Sequence, residues 1–318
     1  MPDTGHERSP IPCRKFQDSD VTAKGEPRAT VTMGRLRTLW FNTGSLCNIT
    51  CDNCYIESTP RNDRLAYLSV ADVVPYLDEI RDRSPPVEEI GFTGGEPFLN
   101  RDVPAILGEA LARGYSVLVL TNAMKPMQRR AAALLDLHAR YGAALALRVS
   151  IDHYRSEKHE AVRGRGSWAP MLAGLHWLGR HGFRVTAAGR TLWGEPESQV
   201  RAGYAALFAS EGVPIDAFDP QALVLFPEMH PARDVPEITT RCWSILGVSP
   251  DDMMCARSRM VIRRKGAEHP VIVPCTLLPY DPRFELGRTL ADAPATVSLN
   301  HPFCAQFCVL GGARCSAA

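Results

Sequence analysis

The chain has 318 residues, 45 % of them hydrophobic and 22 % charged, with a formal net charge of +1, a composition that fits a soluble globular protein with one large core and an appendage. Basic residues are spread along the chain rather than gathered in a stripe, which argues against nucleic acid as a partner. The apolar runs at 115–120 and 271–273 are too short to cross a bilayer, and no charged segment followed by an apolar stretch opens the chain, so a cytoplasmic protein without membrane association is expected.

Residues 1–34 are rich in proline, glycine and charge and show no apolar periodicity, so they are expected to be disordered or loosely docked, with Cys13 a bystander. From residue 36 a regular alternation begins. Strand-type runs at 36–41, 89–93, 115–120, 145–149, 184–188 and 223–226 alternate with stretches of helical spacing. Ser69 and Asp72 form an N-cap pair opening a helix toward Arg83, which Pro75 is expected to kink. Met171, Leu175 and Leu178 recur at i, i+4 and i+7 and run into Gly182, a C-terminal stop. Val200, Tyr204, Leu207 and Phe208 trace a further apolar stripe.

Six strand–helix units imply parallel strands joined by right-handed crossovers, in an open doubly wound sheet or a full or partial barrel. In either architecture functional groups gather in the loops after the carboxyl ends of the strands. The first such loop, 42–67, exceeds the roughly 15 residues above which loops are uncommon and usually functional.

That loop carries Cys47, Cys51 and Cys54. The chain has ten cysteines, and in a reducing compartment they are expected as metal ligands or catalytic groups rather than disulfides. Soft thiolate sulfur favours iron–sulfur clusters or zinc. A closed zinc site wants four ligands and no fourth lies nearby. A [4Fe–4S] cluster held by three cysteines leaves one iron open, as substrate-binding chemistry requires.

The pattern Cys47-x3-Cys51-x2-Cys54 followed by the aromatic Tyr55, placed after a first strand, resembles the signature of the radical S-adenosylmethionine (SAM) superfamily. The resemblance extends down the chain. Gly94-Gly95-Glu96-Pro97 after the second strand is similar to the family's GGEP motif, and Thr121-Asn122-Ala123 to its Thr-Asn-Gly turn. Ser150-Ile151-Asp152, with Arg163-Gly164 and Gly166-Ser167 beyond, resembles the corresponding region of enzymes related to sulfatase maturases.

The resemblance implies a partial (β/α)6 TIM-like barrel over 35–240. It further implies a [4Fe–4S] cluster on Cys47, Cys51 and Cys54, whose open iron chelates SAM and whose electron cleaves it to a 5′-deoxyadenosyl radical. Tyr55, Gly94, Gly95, Glu96, Pro97, Ser150, Asp152 and Arg163 become the SAM-binding set, with Glu96 accepting from the SAM ammonium, Ser150 or Asp152 touching the ribose and Arg163 the carboxylate. Arg190, Trp193 and Glu228 follow the fifth and sixth strands and are expected to face the substrate. Arg190 would anchor a carboxylate there, and Glu228 would accept a proton.

From Cys242 onward helical periodicity stops, and 241–318 reads as a small loop-rich unit that needs a staple. Cys255-x10-Gly266-x8-Cys275 resembles the hairpin of SPASM and twitch auxiliary domains, with a longer glycine-to-cysteine spacing than usual. This implies one auxiliary [4Fe–4S] cluster on Cys255, Cys275, Cys304 and either Cys308 or Cys315, with zinc as the rival occupant. The expected reaction is radical oxidation of a small molecule. Radical modification of a peptide side chain and a non-catalytic metal protein are the alternatives. A flavodoxin- or ferredoxin-type donor would supply the electron.

Overall fold

The structure, a computed structural model, describes residues 15–83, 85–230, 232–313 and 315; the expectations for 1–14 and for Cys13 lie outside them. A short strand β1 (Thr30–Thr32) leads into β2 (Thr38–Asn42), α1 (Val70–Glu79), β3 (Glu89–Thr93), α2 (Val103–Ala112), β4 (Ser116–Thr121), α3 (Lys125–Gln128), α4 (Ala131–Tyr141) and β5 (Leu145–Ser150). Then come α5 (Ser156–Arg163), α6 (Trp168–Arg180), β6 (Arg184–Arg190), α7 (Glu197–Ser210), β7 (Leu223–Phe226), α8 (Cys242–Leu246), β8 (Ser258–Ile262), β9 (Val271–Val273) and β10 (Thr296–Ser298). Among the described residues no helix is long and apolar enough to cross a membrane.

Local chemistry sets the helix ends. The Ser69 hydroxyl accepts from the Asp72 backbone N–H while the Asp72 carboxylate accepts from the Ser69 N–H, closing a capping box at the start of α1. Helix α1 runs through Pro75 in one piece. Pro75 and Ala71 lie on the exposed face, where water can take the Ala71 carbonyl that proline leaves without its helical donor. Met171, Leu175 and Leu178 are the buried stripe of α6, and Gly182 follows at φ +72°.

Strands β2 to β7 pair in consecutive order, all parallel. A doubly wound sheet reverses its strand order at a switch point. This one does not, so it is a partial TIM-like barrel, open because β2 pairs with β8 instead of β7.

The strands' period of two sends alternate side chains to two cores. Leu39, Phe41, Ile90, Phe92, Val117, Val119, Leu147 and Val149 pack outward with the helices. Trp40, Leu118 and Ala146 pack inward with Met254, Cys255, Leu277, Phe303 and Phe307 of the carboxyl-terminal unit. That unit is therefore more than an appendage. It adds β8, parallel to β2, and β9, antiparallel to β8, to the barrel sheet and fills part of the barrel interior.

Residues 15–34 depart from the expectation of loose docking. Strand β1 pairs antiparallel with β10, and Phe16, Ala29 and Val31 are buried in the inner core. Arg28 and Glu237 form an ion pair at 2.6 Å with side chains 0 % and 5 % exposed. The polar composition that suggested disorder is consumed by this buried pair and by backbone bonds such as Ala29 N–H to the Ile238 carbonyl.

Candidate functional site

The loop between β2 and α1 crosses the carboxyl ends of the strands and is tied down on several sides. The Gly95 and Glu96 N–H groups donate to the Gly44 and Leu46 carbonyls at 2.9 and 3.0 Å, and the Asp52 N–H donates to the Val162 carbonyl at 2.7 Å. Asn53, in the left-handed region at φ 48°, donates its side-chain amide to the Glu228 carboxylate and the Met229 carbonyl. The Tyr55 hydroxyl donates to the Pro227 carbonyl, and Tyr280 donates to the Ile56 carbonyl at 2.9 Å.

So held, Cys47, Cys51 and Cys54 open together on one cavity of about 190 Å³. Burial pushes the Cys47 thiol up to about 12, and its two neighbours in the triad add to the cost of ionising it. Burial also pushes Cys51 up, against the pull of the Arg163 charge. Such thiols are poor free nucleophiles and become thiolates readily only on a metal. Three soft thiol sulfurs on one cavity fit an iron–sulfur cluster.

Tyr55, Gly94, Gly95, Ser150, Asp152 and Arg163 all line this cavity. Glu96 and Pro97 stand behind the wall. Glu96 is 2 % exposed. Its carboxylate accepts from the Thr121 hydroxyl at 2.9 and 3.1 Å, the Asn122 N–H at 2.9 Å and the Phe98 N–H at 3.2 Å. Burial raises its carboxyl to about 7 against the downward pull of those bonds. Both oxygens are taken by protein donors. Glu96 thus fixes the turn after β4, whose Thr121 and Asn122 line the cavity.

The twin glycines likewise serve the loop. A Cβ on Gly94 would stand 2.5 Å from the Gly44 carbonyl oxygen, and one on Gly95 2.2 Å from that of Leu46. Ala123, where the resemblance leads one to expect glycine, adopts φ 58°, keeping the turn that glycine would make at lower strain.

Arg163 and Asp152 face each other, Nη2 donating to Oδ1 at 3.0 Å with Nε 3.0 Å from Oδ2. Arg190 lines the cavity, pairs with Glu228, stacks over the Tyr55 ring at 5.0 Å and reaches the Asp52 carbonyl at 3.3 Å. Arg190 and Glu228 therefore brace the cysteine loop. Trp193 packs edge-on against His153, with Lys158 over its ring, and is absent from the cavity wall.

The remaining cysteines divide. Cys255, Cys275, Cys304 and Cys308 surround a second, apolar cavity of about 20 Å³. Cys304 and Cys308 lie on one turn of a π-helix, Cys304–Val309, a distortion frequent at functional sites. Cys315 lines the large cavity instead, its sulfur 3.1 Å from the Thr276 hydroxyl and its carbonyl accepting from Arg148 at 2.8 Å. Burial pushes its thiol up to about 11. Cys242 stands apart, accepting from the Thr239 N–H at 3.4 Å. Among the described residues no three Cys, His, Asp or Glu side chains stand close enough to hold a single metal ion. The partition of Cys308 from Cys315 carried no signal in the sequence, since both follow Cys304 at ligand-like spacing.

The profile of the Radical SAM superfamily matches residues 41–202, half of the chain. The chain belongs to this superfamily, whose members are enzymes that use SAM and a [4Fe–4S] cluster. It is 32 % identical over 149 residues to the antilisterial bacteriocin subtilosin biosynthesis protein AlbA of Bacillus subtilis, covering 46 % of this chain and 32 % of AlbA. It is 27 % identical over 152 residues to GTP 3′,8-cyclase of Tolumonas auensis, covering 47 % of this chain and 43 % of the cyclase. The chain thus spans less than half of either curated relative. SuiB of Streptococcus suis bound to SAM shares the fold, with a TM-score of 0.58 at 12 % identity over 80 % of this chain and 63 % of SuiB. SuiB is also solved with its precursor peptide SuiA, at a TM-score of 0.53.

Proposed function

We propose that Cys47, Cys51 and Cys54 hold the SAM-cleaving [4Fe–4S] cluster and that the enzyme modifies a peptide side chain by radical chemistry. The observation that carries the reading is the opening of all three thiols onto one cavity that Tyr55, Gly94, Gly95, Ser150, Asp152 and Arg163 also line. When bound, a cluster with one iron free of protein ligands supplies the electron that splits SAM into methionine and a 5′-deoxyadenosyl radical.

The chain's own groups bind and orient. Ser150 offers a hydroxyl to the SAM ribose. Arg163, held square by Asp152, offsets the negative charge of the thiolates beside it. The turn fixed by Glu96 presents Asn122. Glu96→Ala strips that turn of its acceptor, and a rise of about tenfold in the SAM dissociation constant is expected, of the order that lost buried hydrogen bonds produce. Equilibrium binding measures it, and an unchanged constant contradicts the positioning role.

Cys255, Cys275, Cys304 and Cys308 are proposed to hold a second [4Fe–4S] cluster. The four surround one small cavity, and four cysteine thiolates are the ordinary ligand set of such a cluster. Similarity to AlbA and the shared fold with SuiB favour a peptide over the free metabolite expected from the sequence. The similarity to GTP 3′,8-cyclase supports the small-molecule reading as second choice. A low-potential donor of the flavodoxin or ferredoxin class would feed the electron.

Anaerobically purified protein is expected to carry about eight irons per chain, two cubanes of four, and to form 5′-deoxyadenosine from SAM and dithionite. Four irons together with zinc would overturn the second cluster, and absence of 5′-deoxyadenosine the catalytic assignment.

A further inference from the structure

Arg28, Arg148, Arg190 and Arg259 are the buried arginines among the described residues. Arg28 pairs with Glu237 and Arg190 with Glu228, and the Glu89 carboxylate acts on the charge of Arg148. Arg259, on β8 and 0 % exposed, has no carboxylate partner among the described residues. The groups that act on its charge are the Cys255 and Cys275 sulfurs and the like charge of Arg83.

Neutral groups hold its guanidinium. Nη1 donates to the Cys255 carbonyl at 2.6 Å and the Ser258 carbonyl at 2.8 Å. Nη2 donates to the Pro294 and Ala295 carbonyls at 3.3 and 3.1 Å, and Nε has no partner. Arg259 thus stands directly behind the short 3-10 turn Met254–Ala256 that carries Cys255, off the wall of the small cavity. A guanidinium stays charged in a protein interior, and an uncompensated buried charge is strongly destabilising. Carbonyl dipoles offset part of that cost. The rest calls for an anion, and the thiols of Cys255 and Cys275 are the groups in place to provide one.

We propose that Arg259 is the counter-charge of the second iron–sulfur centre and raises its reduction potential. The inference rests on the reading of Cys255, Cys275, Cys304 and Cys308 as a cluster site and deepens it. Net charge is one of the properties that set the potential of such a centre. On reduction the site gains one electron and one unit of negative charge, so a fixed positive charge beside it favours the reduced form more than the oxidised one. Burial keeps salt and water from screening that action. A centre biased in this way is suited to receive an electron.

The test is a redox titration of the whole anaerobic protein with dithionite, followed by electron paramagnetic resonance. Added SAM alters the signal of the triad's centre, whose open iron it binds, and leaves that of the second centre unchanged. Arg259→Gln keeps an amide donor for the carbonyls but removes the charge. It is expected to make reduction of the SAM-insensitive centre about tenfold less favourable, the order of one unit charge acting on another across a protein interior, or about 59 mV for a one-electron couple. Arg259→Lys keeps the charge while giving up most of the carbonyl bonds, and its midpoint is expected to stay with the unaltered protein. The midpoint of the SAM-sensitive centre serves as the internal reference. Loss of the second centre's iron in Arg259→Gln but not in Arg259→Lys also supports the counter-charge. An unmoved midpoint in Arg259→Gln at full iron content overturns it. Equal midpoint shifts in both variants, or equal loss of iron, overturn it by making Arg259 a structural tie for the Cys255 turn, and the cluster reading stands. Absence of any SAM-insensitive reducible centre from the unaltered protein overturns the cluster reading itself.

Discussion

Replacing Cys47, Cys51 and Cys54 together by alanine is expected to abolish 5′-deoxyadenosine formation and to remove about four irons, one cubane, while about four remain. The expectation follows from the separation of the two thiol groups. The triad opens on the large cavity, and Cys255, Cys275, Cys304 and Cys308 surround the small one. The triad's loop is held largely by backbone bonds to Gly95, Glu96 and Val162 and by the Arg190–Glu228 brace, none of which uses a cysteine side chain. The fold around the second group should therefore survive the substitution. Iron and sulfide analysis with the product assay separates the outcomes. Undiminished 5′-deoxyadenosine would defeat the assignment of the catalytic cysteines, and loss of all eight irons would show that the two groups depend on each other.

Much of this site was legible because its signals are local. Three thiols within eight residues, a glycine pair after the next strand and Ser150 at the end of β5 are each set by the chain's own spacing, and period-two runs placed all six barrel strands within two residues. What escaped was non-local. The carboxylate of Glu96 meets Thr121 and Asn122, 25 and 26 positions away, and nothing in a GGEP-like run distinguishes an acceptor aimed at a ligand from one aimed at the next turn. Strand β8 is a five-residue run among turns, and nothing local to it advertises that it would join β2 across 220 residues of chain. Residues 15–34 look disordered because their anchoring uses an arginine, a glutamate and backbone groups rather than an apolar stripe. Arg190 lines the cavity and Glu228 stands off its wall, and a sequence offers no means of seeing that two opposite charges 38 positions apart will satisfy each other.

Gly95→Ala is expected to cost about 2–3 kcal/mol, the upper range for forcing extra atoms into a packed site, and to lower the melting temperature by roughly 3–5 °C for a chain of this size. An alanine Cβ there would lie 2.2 Å from the Leu46 carbonyl oxygen, 2.5 Å from its carbon and 2.7 Å from the Ser45 carbonyl oxygen. All three are backbone atoms, so no side-chain rotation relieves the contact. The strand end and the cysteine loop must part, which strains the bonds from Gly95 to Gly44 and from Glu96 to Leu46. Cys47 follows Leu46 directly and must move with it, so the iron held by the triad should fall along with stability. Gly108→Ala provides the contrast. Its Cβ would meet only Leu137 Cδ2, at an ordinary 3.6 Å, inside α2, where alanine is worth up to about 1 kcal/mol over glycine through helix propensity alone. Thermal unfolding of the two variants, with iron counted in each, should move in opposite directions. If Gly95→Ala melts with the unaltered protein and keeps its full iron content, the twin glycines are not what seats the cysteine loop against β3, and their purpose must then lie on the cavity side of the wall.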